Sequence, residues 1–193
     1  KEKEEMINRI LAWLRNHELA LLIMLVVLAG AVRQYRVSNP LLDWHAWRQA
    51  DTASVTREYI KNGIDPLRPT FLDISSTPSG SDNLMGYRMV EFPILHIMTA
   101  GLLQVFPQLP LEQTSRVISI IFSLLGLVAL YGIVRSISGR RVAVATALAY
   151  ACLPFTVFYS RTVLPEPVLL GTVLASLYAF QRWLSSDSKY WYV

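Results

Sequence analysis

The chain has 193 residues, 53% of them hydrophobic and only 17% charged, against about 25% charged in ordinary soluble domains. Net charge is +4 with the basic residues scattered instead of gathered in a tract, which argues against a nucleic-acid partner and for a membrane protein. The single cysteine, Cys152, lies in an apolar run, has no internal disulfide partner, and reads as a small buried hydrophobe.

The chain opens on Lys1 and stops at Val193 just past an apolar stretch, as expected of the N-terminal portion of a longer protein. The first apolar stretch covers residues 19–32 and extends back through Ile10, Leu11, Trp13 and Leu14, long enough at about 1.5 Å per residue to cross a hydrocarbon core. No small-residue cleavage site follows it, so it reads as an anchor. Four more stretches cover residues 89–106, 117–134, 142–158 and 163–183, and three of the five are comfortable transmembrane helices. Glu91, Pro93 and His96 weaken the 89–106 stretch, leaving about a dozen apolar residues before Pro107. The fold expected is an all-α polytopic membrane protein of about five apolar helices, with residues 33–88 as a long first external loop.

Within that loop Ala53, Val55, Tyr59 and Ile60 recur at helical spacing from Thr52 onward, and Gly63 with Asp65-Pro66 supplies a stop. This predicts an amphipathic helix lying along the membrane surface. Its apolar side would rest among headgroups with Trp44 and Trp47 as interfacial anchors, while Asp51, Arg57 and Glu58 face water or a cavity. Residues 75–82, rich in serine and glycine, read as turn and linker.

Asp43 and Asp51 flank His45, Arg48 and Gln49. A carboxylate here would serve as general base on a hydroxyl or amine while Arg48 neutralises a phosphate oxygen. The plainer reading is a solvated interfacial helix whose charges pair with one another and with headgroups. Glu91 and Glu166 stand at the mouths of apolar stretches, where an acid is either functional or a helix cap, and Arg161 lies just before Glu166. His96 reads more readily as a structural hydrogen bonder than as a metal ligand. Three carboxylates and a histidine at one water interface suit a divalent cation, though their spacing specifies none.

The order "HAWRQADTA", "EYIKNG", "EFPILHIMTAGLLQVF", "GRR" and "YSRTVLPEPVLL" resembles the polyprenyl-phosphate-sugar-dependent class C membrane glycosyltransferases, which include protein O-mannosyltransferases and bacterial aminoarabinose transferases. The resemblance makes residues 1–193 the N-terminal portion of a transmembrane glycosyltransferase domain. It implicates an acid of the first external loop in catalysis. It matches Glu91 to a glutamate opening the second membrane segment and Glu166 to a later acid that is often aspartate. Aligned through "REYIKNG", the usual loop acid falls on Arg48, so Asp51, at the beginning of the helix, is favoured as base and Asp43 is the alternative.

The resemblance also implies an inverting transfer from a polyprenyl-phosphate sugar to an acceptor. His45, Arg48, Gln49, Tyr87, Arg88 and Arg161 would lie about the donor. A divalent cation on Glu91 and Glu166 is the candidate cofactor. Membrane lipid would surround a multi-pass chain in a prokaryotic plasma membrane, its site facing outside. No glycine-rich nucleotide loop is visible, in keeping with a lipid-linked donor. The competing expectation is a transporter or flippase subunit that binds lipid-linked sugars without chemistry. Against it, the acids lie at the edges of the apolar stretches instead of at their midpoints.

Five complete spans carry an awkward consequence. They place Arg135, Arg140 and Arg141 outside and Glu166 on the cytoplasmic face, away from Glu91. An incomplete or re-entrant segment over residues 93–106 would return Glu166 to the face of the first loop.

Overall fold

The computed structural model describes residues 17–75 and 80–185 and, among these, is all-helical apart from one isolated bridge between Thr70 and Tyr87. The helices are α1 (Glu18–Arg33), α2 (Ala46–Asn62), α3 (Ile94–Val105), α4 (Leu111–Ser138), α5 (Arg140–Cys152), α6 (Pro154–Tyr159) and α7 (Glu166–Leu184). Ile10 to Leu14 and residues 76–79 lie outside the described residues.

Only α4, among the described residues, is long and apolar enough to cross a membrane by itself. At 28 residues it measures about 42 Å. The expectation of about five apolar helices is therefore met only in coarser form. The 142–158 stretch is two helices, because Pro154 lacks the N–H that the Tyr150 carbonyl would need to continue α5. The 89–106 stretch becomes helical only at Ile94, and its 12 residues rise about 18 Å, well short of a hydrocarbon core of about 30 Å.

Contacts fix the directions. Glu18, at the start of α1, meets Tyr131 and Arg135 near the end of α4, while Arg33 at the other end of α1 reaches Ser123, so these helices are antiparallel. Gly139, at φ 80°, reverses the chain between α4 and α5 in a backbone conformation that suits glycine. Helix α7 runs parallel to α4, Gly171 against Gly126 and Tyr178 against Gly132. A Cβ at Gly171 would collide with the Phe122 carbonyl, so glycine sets how closely these two helices approach.

The main core joins Leu21, Leu25 and Ala29 of α1 to Leu127 and Tyr131 of α4 and to Ala143, Ala147 and Ala151 of α5. The alanines recur every fourth residue and form one small-residue face. Arg33 is fully buried where α5 breaks. Its guanidinium donates to the Tyr150 and Ala151 carbonyls at 3.1 Å each and to Ala29 at 3.0 Å, serving among them the Tyr150 carbonyl that Pro154 orphans.

Helix α2 departs from its expected setting. It begins at Ala46, six residues before Thr52, and its buried Val55 and Tyr59 pack on Ala100 and Ile97 of α3 instead of facing headgroups. Ile60 is partly exposed, whereas Trp44 and Trp47 stand out from the protein surface as the anchor reading requires. The chain directions place the first loop, α2, α3 and the start of α7 at one end of the bundle, and the ends of α4 and α7 at the other.

Candidate functional site

Two turns of α2 supply the first components. Arg48 Nη2 lies 2.7 Å from Glu166 Oε1. Glu166 opens α7 between Pro165 and Pro167; the helix dipole favours an acid there, and proline lacks only an N–H that has no partner in a first turn. Because α3 is too short to cross, the chain stays on the first-loop side before α4, and Glu166 belongs to the first-loop face. Gln49, with no exposed surface, donates to Asp43 Oδ1 at 2.7 Å and to the Trp44 carbonyl at 3.1 Å, and accepts from Val163 N–H at 3.1 Å. Its amide ties the first loop to the segment before α7.

A backbone clasp brings in the next pair. Phe71 N–H donates to Gly86 and Arg88 N–H to Pro69, both at 2.8 Å, on either side of the Thr70–Tyr87 bridge. Gly86 adopts φ 63°, and a Cβ there would sit 2.6 Å from the Phe71 carbonyl, so the clasp requires glycine. Arg88 is thereby held over the Phe71 ring, 3.2 Å from Asp51 Oδ2. Asn83 brackets the Tyr87 backbone at 2.9 and 3.0 Å, leaving the ring partly exposed.

Glu91 sits amid this set and differs from its neighbours. Among the described residues it has no ion-pair or hydrogen-bond partner. Burial raises its carboxyl above the usual 4.5, the Arg88 and Arg48 charges pull it back, and Glu166 raises it further. The carboxylate is poised to accept a proton.

Asp43 occupies an adjoining corner. It receives the Gln49 hydrogen bond and lies 3.7 Å from Arg161 Nη1. Arg161 is nearly fully buried between the Tyr35 and Phe158 rings, and its Nε and Nη1 have no hydrogen-bond partner. Such unpaired guanidinium donors suit an anionic guest. Arg116 was not foreseen. Buried at the start of α4, it donates to the carbonyls of Val37 at 2.9 Å, Arg36 at 3.4 Å, Pro40 at 3.5 Å and Asn39, clamping the segment that leads to Asp43. Its signal is an arginine immediately ahead of the apolar run that begins at Val117.

The histidines take other places. His45, at φ 60°, starts α2 with its ring against Trp44 and Tyr159. His96 is buried in α3, with no hydrogen-bond partner in good geometry for either ring nitrogen. No group of three or more histidine, cysteine, aspartate or glutamate side chains able to hold a metal occurs among the described residues. The Glu91 and Glu166 carboxylates share the site with the Arg48 and Arg88 guanidiniums.

Residues 93–193, just over half the chain, match the family model described as dolichyl-phosphate-mannose-protein mannosyltransferase. No curated protein and no solved structure matches the chain. The matched region carries Arg116, Arg161 and Glu166; the first-loop residues and Glu91 stand on their own geometry.

Proposed function

The chain belongs to the dolichyl-phosphate-mannose-protein mannosyltransferase family, and from that membership we propose that it transfers a sugar from a polyprenyl-phosphate donor to an acceptor at the external membrane face, with inversion. Members of the family are integral membrane glycosyltransferases. The observation that carries the reading here is Glu91: half-buried, unpaired, its carboxyl raised by burial, and flanked by Arg48 and Arg88.

Glu91 takes the acceptor's proton as the acceptor oxygen or nitrogen attacks the anomeric carbon. The bond from that carbon to the phosphate oxygen breaks, and polyprenyl phosphate leaves as an anion stabilised by Arg48, Arg88 and Arg161. Asp51 and Asp43 each have an oxygen already facing an arginine, at 3.2 and 3.7 Å, which ranks them behind Glu91 as base. Asp51 positions Arg88 and Asp43 positions Arg161. His45, Gln49 and Tyr87 shape the surrounding wall. In this reading arginine supplies the positive charge at the leaving phosphate; a divalent ion on Glu91 and Glu166, its coordination completed by the donor's phosphate and water, is the alternative that chelation tests.

Orientation follows from the charges. Arg135, Arg140, Arg141 and Arg182 gather at the far end of the bundle, which the positive-inside tendency assigns to the cytoplasm. The acids then face outside. The charged cluster lies at helix ends and in loops, which favours chemistry over transport through the midplane.

The test uses full-length protein in host membranes supplied with radiolabelled polyprenyl-phosphate mannose, following released polyprenyl phosphate. Glu91→Gln abolishes release while Asp51→Asn and Asp43→Asn retain a measurable rate. Full activity in Glu91→Gln refutes the assignment of the base, and release absent from the unaltered protein under all donor sugars refutes the transferase reading.

A further inference from the structure

A cavity of about 470 Å³ opens at the far end of the bundle, between the start of α1 and the ends of α4 and α7. It lies about 28 Å along α4 from Arg116, taking 19 residues from there to Arg135 at helical rise. One half of its wall is apolar, formed by Leu19, Leu22 and Val128, and Leu19 is largely exposed to the surroundings of the bundle. The other half carries Tyr131, Arg135 and Arg182. Glu18 is the one carboxylate lining it among the described residues, and it is engaged by Tyr131 and Arg135 at 2.7 Å each.

Arg140 adds a third guanidinium within electrostatic reach of Glu18 and Tyr131. Helix dipoles account for Arg135 and Arg182, which lie in the last turns of α4 and α7 where cations are favoured. They do not account for Arg140, the first residue of α5, where the dipole disfavours a cation and no acid occupies the first turn. Arg140 also has a buried Nη2 with no hydrogen-bond partner. Arg140 lies outside the cavity's lining, and its charge reinforces the basic half at a distance.

We propose that this cavity binds an anionic phospholipid, its phosphodiester against Arg135 and Arg182 with the Arg140 charge nearby, and one acyl chain along Leu19, Leu22 and Val128. A free phosphate satisfies the arginines but leaves the apolar half empty, whereas a lipid fills both. Basic clefts between membrane helices with an apolar flank are suited to such headgroups. The site is independent of the acid cluster at the opposite end.

Native mass spectrometry of the full-length protein, released from nanodiscs of equal phosphatidylglycerol and phosphatidylcholine, tests this directly. The expected result is one phosphatidylglycerol retained in preference to phosphatidylcholine. The Arg140→Gln, Arg182→Gln double variant holds it about thirty-fold more weakly, from the usual contribution per basic residue at a membrane surface. Val128→Trp, which fills the apolar half and leaves every charge in place, also displaces it. Equal retention of both lipids, or phosphatidylglycerol retention unchanged in either variant, overturns the proposal. Displacement of the lipid by millimolar inorganic phosphate overturns it too, by showing a site for the free anion.

Discussion

Replacing Gln49 with leucine removes the side chain whose hydrogen bonds join Asp43 to the segment before α7. Gln49 and Val163 are both buried, so Gln49→Leu leaves the Val163 N–H without an acceptor, at a cost of about 1–3 kcal/mol. The lost bond to Asp43 is charge-assisted and of similar size, but the Asp43 side chain keeps 22% exposure and water replaces part of it. A combined loss of about 3 kcal/mol raises the opening of this segment roughly 150-fold. Hydrogen exchange by mass spectrometry on peptides spanning residues 160–165 reads that opening, with the middle of α4 as the unperturbed reference. Transfer falls about a hundred-fold, the usual penalty for displacing a positioned group by an ångström. Exchange at Val163 unchanged in Gln49→Leu would refute the reasoning, as would full transfer with the segment opened.

The pH dependence follows from Glu91. Burial raises its folded carboxyl above 4.5, so the acid limb of the transfer profile lies above that value. Ionised Glu91 is penalised only in the folded chain; relative to Glu91→Gln, the unaltered protein therefore gains stability as pH falls through the raised pKa and no more below 4.5, as thermal unfolding at stepped pH will register. Arg116→Gln strands carbonyls over residues 36–40 and destabilises by about 3 kcal/mol, and Arg116→Lys restores little because an ammonium cannot span that fork; equal thermal stability of the lysine variant counts against the clamp. Gly171→Ala drives a methyl into the Phe122 carbonyl and costs about 1–3 kcal/mol in the same unfolding assay, whereas an unchanged midpoint means α4 and α7 are less tightly apposed. Chelation by EDTA leaves transfer intact if arginines hold the leaving phosphate; activity lost and then restored by magnesium or manganese would return Glu91 and Glu166 to the role of metal ligands.

The single-chain reading and the folded molecule agree where local rules govern. Glycine at position 63 ends α2, with φ 92° and its N–H on the Tyr59 carbonyl. The shortness of the apolar stretch before Pro107 is matched by the 12 residues of α3. Arg48, Arg88 and Glu166, separated by as many as 118 positions, are all singled out in the sequence, and each arginine pairs with an acid singled out beside it, Arg48 with Glu166 and Arg88 with Asp51.

Residue types and their periodicity by themselves determined that this chain is helical and membrane-associated, and which acids and arginines are costly enough to require a purpose. Helix rise and hydrophobic spacing are properties of neighbouring residues, so they are written into a single strand of letters. Only the tertiary structure decided that Glu166 shares a face with Glu91, that Glu91 alone of the acids there has no ion pair, and that Arg33 and Arg116 are buried structural cations. Those outcomes depend on the direction in which each helix runs and on the partner each guanidinium meets across distant parts of the chain, and helical spacing encodes neither.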